Sequence, residues 1–315
     1  MQAERQLRWI STASVLVAST LALSKIIAWW WTDSVSLLAS LTDSLLDIAA
    51  SLINFFAIRY ALQPPDAEHR FGHGKAESIA GLAQAGFVGG SALFLLIHAL
   101  QRFIHPVTVH ETEAGMAVML FSIVLTLMLV LAQRVVVRNT GSTAIKADSL
   151  HYLTDLLSNA GVLLALALTA AGHVWADAVV ALLIAVYILH SAWEIGHEAF
   201  EQLMDRELPD EDRAKILSLA SSVPGVLGVH ELKTRRAGTT VIIQLHLEMD
   251  PGLTLQQAHE IADEVERALR RSFPGADVIT HQDPAGLLEP GQRCWDVSLL
   301  EKSPDRAREG SVETP

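Results

Sequence analysis

The sequence predicts a polytopic α-helical membrane protein with six transmembrane helices, followed by a C-terminal cytoplasmic α+β domain of order αββαβ. Three observations lead to this prediction. Half of the 315 residues are hydrophobic, and the mean hydropathy of +0.32 is high for a soluble domain but low for a chain that lies wholly in the membrane. Long apolar runs fill the first two-thirds of the chain. The last third shows alternating strand patterns and an amphipathic helix.

Six apolar runs are long enough to cross a bilayer, which takes about 20 residues of helix. They are predicted at Ser11–Trp31, Ser36–Ala61, Glu77–Ile104, Ala114–Val137, Thr143–Ala171 and Val174–Ser191. Charged side chains interrupt the second and fifth runs, so hydropathy alone would score these two weakly. The first run has the length of a span and no small-residue cleavage site, so we expect no cleavable signal peptide.

Basic residues near the span ends predict the orientation, because Lys and Arg are enriched in cytoplasmic loops. One side of the membrane receives eight of them: Arg5, Arg8, Arg59, Arg70, Lys75, Arg134, Arg138 and Lys146. The other side receives Arg102, with Lys25 near it inside the first run. Both termini are therefore predicted to be cytoplasmic. We interpret Lys25 as a lysine that snorkels or meets an acid, in preference to one that serves transport.

Two of the six runs each carry a pair of metal-binding side chains four residues apart. Asp43 and Asp47 form the pair in the second run, and His151 and Asp155 form the pair in the fifth. On an α-helix this spacing places both members of a pair on one face. If the two faces meet, three carboxylates and one imidazole surround one position, which suits tetrahedral Zn²⁺ or a similar divalent ion.

Acidic side chains inside a membrane span are costly, and this cost makes the two pairs a functional signal. One acidic side chain at a helix centre costs about 2.5–3.5 kcal/mol on insertion scales, so three cost roughly 7–10 kcal/mol before compensation. Either pair alone could be a helix cap or a buried hydrogen-bonding group. The same spacing on two separate spans favours a shared metal site.

The loop between the second and third runs gathers an aspartate and two histidines within eight residues: Asp66, His69 and His73. Pro64 and Pro65 end the preceding helix, and the glycines of the loop allow the backbone to fold back. We predict that the three side chains converge on one ion. The alternative is a solvated polar loop.

The region after the sixth run reads as helix, strand, strand, helix, strand. Helices are predicted to begin at the N-caps Asp210 and Thr254, the second helix running over Thr254–Arg271. Strands are predicted over Val226–Arg236, Thr239–Met249 and Ala276–His281. The predicted organisation is an N-terminal cytoplasmic segment 1–10, a transmembrane domain 11–205, a linker 206–209, the αββαβ domain 210–284 and a disordered tail 285–315.

Period-two counting places several metal-binding side chains of this domain on one sheet face. His246 shares the polar face of its strand with Gln244 and Glu248, and His281 shares a face with Asp283. Such a cluster could hold one or two divalent ions on the exposed sheet or between two copies of the domain, and the alternative is ordinary polar-face histidines. The residues considered are His230, His246, His259, His281 and Asp283.

The motifs LTDSLLD and HYLTD, the loop DAEHRFGHGKAES and the domain ending in THQDP resemble the cation diffusion facilitator family, in particular its bacterial zinc and ferrous-iron efflux members. The resemblance covers residues 8–284. It implies a homodimer with a metallochaperone-like cytoplasmic domain, located in the inner (plasma) membrane of a bacterium. It also implies export of cytoplasmic Zn²⁺, or of Fe²⁺ or Cd²⁺, in exchange for protons by alternating access.

The resemblance also implies three metal sites and one salt bridge. The transport site is Asp43, Asp47, His151 and Asp155, and the loop site is Asp66, His69 and His73. The site at the dimer interface is His230, His246, His259, His281, Gln282 and Asp283. Lys75 and Asp205 fall where the family has an interdomain salt bridge near the membrane surface.

Several classes of function are disfavoured. The net charge of −12 argues against nucleic acid as a partner, and the single cysteine, Cys294, excludes an internal disulfide framework and a cysteine-based zinc site. We expect no organic cofactor and no enzyme activity, because an intramembrane metallohydrolase would be expected to show the HExxH pattern, which is absent. The alternative function is a membrane metal sensor that signals through its cytoplasmic domain.

Overall fold

Six long helices and one small sheet make up the computed structural model, which describes residues 2–32, 35–104, 113–170 and 176–286. The chain divides into two compact units, and the boundary in the sequence lies between Leu203 and Met204. The first unit holds the six long helices, and the second holds the sheet with two further helices. The predicted disordered tail lies outside the described residues, apart from Ala285 and Gly286.

Each of the six long helices overlaps one predicted span, although the first begins before its predicted span and the sixth ends well after its own. They are α1 (Gln2–Thr32), α2 (Val35–Ala61), α3 (Lys75–Ile104), α4 (Glu113–Thr140), α5 (Thr143–Ala170) and α6 (Ala176–Leu203). Within the described residues, all of them except α5 contain a stretch that is long and apolar enough to cross a membrane. Helix α5 carries Lys146, Asp148, His151 and Asp155, in line with the charged side chains expected in the fifth run.

Helix α5 lies among the other helices and packs against α2, α3, α4 and α6. The approach to α3 is close at Gly81, where an added Cβ would lie 3.3 Å from the backbone carbonyl of Thr143. A glycine at this position therefore lets the two backbones come together, as small residues do between membrane helices. The neighbours on several sides explain how a helix with so many polar side chains can lie in this bundle.

A buried hydrogen-bond network fixes the orientation of α5. The Asp148 carboxylate is fully buried, and its Oδ2 accepts from Ser14 Oγ on α1 and from Gln133 Nε2 on α4, both at 2.7 Å. The Tyr152 hydroxyl donates to the Ser14 carbonyl at 3.0 Å and lies 2.7 Å from Ser51 Oγ on α2. Leaving such a buried group unpaired costs about 1–3 kcal/mol, so the network resists rotation of α5. The face of α5 that carries His151 is thereby held in place.

The second unit has the predicted αββαβ order. Its elements are α7 (Asp210–Ser221), β1 (Gly228–Ala237), β2 (Thr240–Met249), α8 (Leu255–Ser272) and β3 (Asp277–Pro284). Strand β2 is central, antiparallel to β1 and parallel to β3. Both helices pack on one sheet face, where alternate residues of β2 such as Ile243, Leu245 and Leu247 are almost fully buried. The other sheet face is left free for polar side chains.

Helices α7 and α8 differ in how they begin. Helix α8 starts with the predicted Thr254 cap, which forms a reciprocal capping box with Gln257. Asp210, predicted as the cap of α7, is instead the first helical residue, because Pro209 occupies the cap position and makes no side-chain cap bond. The acidic side chain of Asp210 still favours the helix through its dipole.

Residues 206–209, predicted as a linker, are attached to β1 by hydrogen bonds. Glu207 Oε2 accepts from the Thr234 backbone N–H at 2.9 Å and from the Thr234 hydroxyl, and the Leu208 N–H donates to the same hydroxyl at 3.0 Å. The side chain of Leu208 is buried in the core of the second unit. This short segment therefore belongs to the second unit.

Candidate metal centres

Helices α2 and α5 bring three of the four predicted membrane ligands together. One ligand atom from each of Asp47, His151 and Asp155 lies within 4.8 Å of the ligand atoms of the other two. The closest pair is His151 Nε2 and Asp47 Oδ1, at 3.0 Å. His151 is buried, while both carboxylates are half-buried. The three groups face one position between the two helices, as the spacing of four residues requires.

Asp43 lies one turn before Asp47 on α2 and outside the three-residue cluster. It lines the same cavity, which has a volume of about 660 Å³ and receives residues from helices α1 to α5. The ring of Phe87 on α3 lies edge-on to His151 in this cavity, with 5.8 Å between the ring centroids. Asp43 as a fourth ligand stays a prediction.

Lys25 on α1 also lines this cavity. Its Nζ donates to Ser44 Oγ at 2.6 Å and to the Ser40 carbonyl at 3.1 Å, both on α2. From its position in the first apolar run, this lysine is expected to snorkel or to meet an acid, in preference to a role in transport. A lysine inside a predicted span was the available signal, but the sequence could not show which helix it faces.

The loop between α2 and α3 brings Asp66, His69 and His73 together. His73 Nε2 lies 3.3 Å from Asp66 Oδ2, and His69 Nδ1 lies 3.5 Å from Asp66 Oδ1. The His73 side chain is buried beside Tyr60, and its Nδ1 has no hydrogen-bond partner, whereas Asp66 and His69 are exposed. Gly72 adopts a φ of 78°, which an L-residue rarely does, and this turn returns the chain to α3.

A backbone turn also shapes the electrostatics of this loop. Asp66 Oδ1 accepts from the backbone N–H of His69 at 2.6 Å and of Glu68 at 2.9 Å. These bonds, that of His69 foremost, hold the pKa of the Asp66 carboxyl below its ordinary value. The carboxylate is therefore already ionised, as a metal ligand must be.

Three histidines form a row across the sheet of the second unit. His230 on β1 lies directly opposite His246 on β2, which lies directly opposite His281 on β3. Asp283 is two residues further along β3 and contacts all three imidazoles. Its Oδ2 lies 2.8 Å from His246 Nδ1 and 3.3 Å from His230 Nε2, while its Oδ1 lies 3.2 Å from His281 Nε2. One carboxylate thus faces imidazoles with both of its oxygens.

A β-bulge next to this row positions His230. The ladder between β1 and β2 shifts register between His230 and Lys233, where Glu231 adopts a φ of 48°. The extra residue places His230 on the outer sheet face with His246, while Leu232 still joins the core. Simple alternation along β1 would have put Leu232 on the same face as His230. Nothing in the local sequence pattern indicates this bulge.

Two glutamates beside the row were not predicted as ligands. Glu248 Oε1 lies 3.7 Å from His230 Nε2, and Glu231 Oε2 lies 3.9 Å from His246 Nε2. Gly228 makes room for the first, because an added Cβ there would lie 2.9 Å from Glu248 Oε2. His246 and Glu248 share a strand face, and this pattern in the sequence could have identified Glu248.

Two of the predicted interface residues lie away from the row. His259 is exposed on α8, where its Nε2 lies 3.9 Å from Asp263 Oδ2. Gln282 alternates with His281 and Asp283 along β3, so its side chain belongs to the opposite face of the strand, which packs against α8. Within one chain, the described structure joins neither residue to the row, and both stay predictions.

The predicted salt bridge joins residues of the two different units. Lys75 Nζ donates to the Leu203 carbonyl at 3.3 Å within the first unit. Asp205 accepts from Arg235 Nη1 at 3.2 Å within the second. The pair of Lys75 and Asp205 stays a prediction.

The chemistry of the three clusters is the same. Each combines imidazole nitrogens with carboxylate oxygens, a set that binds Zn²⁺, Fe²⁺ and similar divalent ions better than Mg²⁺ or Ca²⁺. None uses a thiolate. The clusters differ in surroundings: one lies inside the helical bundle, one in an exposed loop and one on an open sheet face.

Two domain families match almost the whole chain. A model of the cation efflux transmembrane domain matches residues 11–204, and a model of the cation efflux protein cytoplasmic domain matches residues 208–285. The cation-efflux pump FieF of Pectobacterium atrosepticum is 54% identical over 283 residues, which cover 90% of this chain and 94% of that protein. FieF of Serratia proteamaculans is 52% identical over 297 residues, which cover 94% and 99%.

Several solved structures match about a quarter of the chain. CzrB in its Zn form is 35% identical, with 27% of this chain and 99% of that chain covered, at a TM-score of 0.25. A nickel form of the MamM CTD is 27% identical, with 24% and 98% covered, at a TM-score of 0.23. The family of this chain is shown by the two domain models and by the full-length relatives.

The loop cluster predicts separate effects for two changes at Asp66. Asp66→Asn keeps an oxygen that can accept the two backbone N–H groups but removes the charge, so the loop should stay ordered and lose its metal. Asp66→Ala should lose both. Zn²⁺ titration of the purified full-length protein should show one equivalent fewer in both variants, and hydrogen exchange at residues 66–73 should rise only in Asp66→Ala.

Glu68→Gln is the control, because Glu68 lies outside the cluster. The lowered pKa of the Asp66 carboxyl determines how the loop responds to pH. Asp66 stays ionised, and its bonds to the turn persist, until the pH falls below the range in which an ordinary aspartate titrates. An unchanged stoichiometry in Asp66→Asn would contradict the assignment.

Proposed function

Because the chain belongs to the cation efflux family, we propose that it exports Zn²⁺ from the cytoplasm, with Fe²⁺ and Cd²⁺ as further cargo, in exchange for protons. The chain is a multi-pass membrane protein, and its full-length relatives are named cation-efflux pumps. The observation that carries the proposal is the convergence of Asp47, His151 and Asp155 inside the helical bundle. Such groups are costly in a membrane unless they bind cargo.

The ligand set supports a dication as cargo. Asp47, His151 and Asp155 supply three ligands of the types that Zn²⁺ prefers, and Asp43 on the same cavity wall supplies the fourth. The imidazole separates Zn²⁺ and Fe²⁺ from Mn²⁺ and Mg²⁺, which favour sites made of oxygen atoms alone. The site is therefore selective through His151.

Protons and metal compete for the same atoms. A carboxylate or imidazole binds metal only when it is deprotonated, so loading the metal releases protons and protonation releases the metal. The ionised site without cargo is the costly state in an apolar bundle. Either cargo lowers that cost, which couples the movement of metal in one direction to that of protons in the other. Alternating access then exposes the site to one side of the membrane at a time.

The orientation follows from the basic residues. Both termini and the second unit face the cytoplasm of a bacterial cell, and the helices lie in its inner membrane. The loop cluster of Asp66, His69 and His73 then lies at the cytoplasmic surface. It binds metal from the cytoplasm before transport.

The row of histidines in the second unit serves regulation. His230, His246 and His281 around Asp283 form a donor set suited to one or two Zn²⁺ ions on an exposed sheet face. A second copy of the domain would complete the coordination, which makes the homodimer depend on cytoplasmic metal. Metal that binds the dimer better than the separated domains would shift the equilibrium towards the dimer.

Asp47→Asn and Asp155→Asn should each lower Zn²⁺ flux by at least about 100-fold, since losing even an outer partner of a metal ligand costs 10–100-fold in affinity or activity. The measurement is pH-gradient-driven Zn²⁺ movement in proteoliposomes. Glu194→Gln, which neutralises an exposed acid on α6, is the matched control and should retain flux. Flux at the wild-type level in Asp47→Asn would refute the proposed function.

His151→Asp should broaden the selectivity of the site, because it converts a mixed site into one of oxygen atoms alone. We expect a several-fold rise in Mn²⁺ or Cd²⁺ flux relative to Zn²⁺ in the same vesicles. His197→Asp on α6 is the control, because His197 does not line the cavity. An ion preference equal to that of the wild type would argue against His151 as the selective ligand.

Replacing both His230 and His281 by Ala should loosen the cytoplasmic dimer in low-micromolar Zn²⁺. Crosslinking between the two cytoplasmic domains of the full-length protein measures this directly. Leu255→Ala is the control, because its side chain is exposed and lies away from the row. Crosslinking that responds neither to the double variant nor to a chelator would rule out regulation through this cluster.

A further inference from the structure

Lys25 is a basic residue inside the transmembrane part of the first helix. Its ammonium donates to Ser44 Oγ at 2.6 Å and to the Ser40 carbonyl at 3.1 Å. Both acceptors belong to α2, and Ser44 directly follows Asp43. A snorkelling lysine would send its ammonium towards water at the end of its own helix. Lys25 instead directs it to the helix that carries two of the acidic residues.

The ammonium shares a cavity with the acidic residues of the candidate transport site. Asp43, Asp47, His151 and Asp155 line that cavity together with Lys25. Ser44, which accepts one of its hydrogen bonds, is almost fully buried. The position of the ammonium is therefore fixed by the packing of α1 against α2.

A fixed positive charge changes the electrostatics of a dication site in two ways. Three ionised carboxylates and one ammonium carry a net charge of minus two, which a single dication cancels. Without the lysine, the same loaded site would keep one uncompensated negative charge in the bundle. The ammonium also repels the dication directly, so it opposes metal binding. It lowers the cost of the metal-free site and weakens the hold on the metal.

We propose that Lys25 is the built-in counter-charge of the transport site, which sets the metal affinity low enough for release. This inference rests on the proposed function. Lys25 acts on the site as a fixed cation, and it is not itself a metal ligand. The hydrogen bonds to Ser40 and Ser44 hold the ammonium beside the ligands without making it one.

The test compares three changes at Lys25 in the full-length protein. Lys25→Met removes the charge and the hydrogen bonds, Lys25→Gln removes the charge but keeps a donor for Ser40 and Ser44, and Lys25→Arg keeps the charge. The background carries His69→Ala, His73→Ala, His230→Ala and His246→Ala, so that the transmembrane site dominates Zn²⁺ binding. Isothermal titration with Zn²⁺ in detergent at fixed pH measures affinity, and proteoliposomes measure flux.

Both neutral variants should bind Zn²⁺ about tenfold or more tightly, because a repulsive charge in a poorly screened cavity has been removed. Their flux at saturating Zn²⁺ should fall several-fold, because the site releases the metal more slowly and then returns less readily, without metal, to the side where it loads. Lys25→Arg should stay close to the wild type in both measurements. Lys146→Met is the matched control, because Lys146 pairs with Glu198 at 2.5 Å and does not line the cavity.

Unchanged or weaker Zn²⁺ binding in Lys25→Gln, with an unaltered melting temperature, would overturn the inference. Tighter binding in Lys25→Met but not in Lys25→Gln would also overturn it, because the hydrogen bonds and not the charge would then matter. Asp47→Asn in the same assays separates this failure from that of the proposed function. If Asp47→Asn loses flux while Lys25→Gln binds like the wild type, the counter-charge fails and the transport site stands.

Discussion

A charge can be buried among apolar helices only where it meets a partner, and this requirement shapes the first unit. Asp148 meets Ser14 and Gln133, and the Tyr152 hydroxyl meets Ser51 and the Ser14 carbonyl. These bonds connect α5 to three other helices and leave little freedom for it to rotate. The candidate ligands His151 and Asp155 lie on the helix that these bonds fix, and the position of the candidate site depends on it.

The cytoplasmic cluster is positioned by other means. Its histidines come from three neighbouring strands, so the hydrogen-bond ladder sets their spacing. A bulge at Glu231 corrects the alternation of β1, and a glycine at position 228 leaves space for the Glu248 carboxylate. The loop cluster depends instead on a turn whose backbone N–H groups stabilise the Asp66 carboxylate. The helices, the sheet and the turn thus each bring imidazole and carboxylate groups together through their own backbone geometry.

Much of the fold was accessible from local patterns. The helical spans follow from apolar runs, the αββαβ order from alternation and amphipathicity, and the start of α8 from a capping motif whose partners are three residues apart. These signals are local, so a single sequence contains them. The cap of α7 was misjudged, because Pro209 and Asp210 both suit the start of a helix and only the backbone geometry distinguishes them.

By itself, the sequence determined which side chains share a helix face or a strand face, since the periods of 3.6 and 2 are properties of the backbone. It therefore predicted Asp43, Asp47, His151 and Asp155 as partners, and it placed His246 with Glu248, and His281 with Asp283, on shared strand faces. Only the tertiary structure decided that Lys25 of α1 faces the same cavity, that Glu231 and Glu248 border the row of histidines, and that His259 lies apart from it within one chain. These relations join distant segments, and no local period reports how one helix is rotated against another or where a strand inserts a residue.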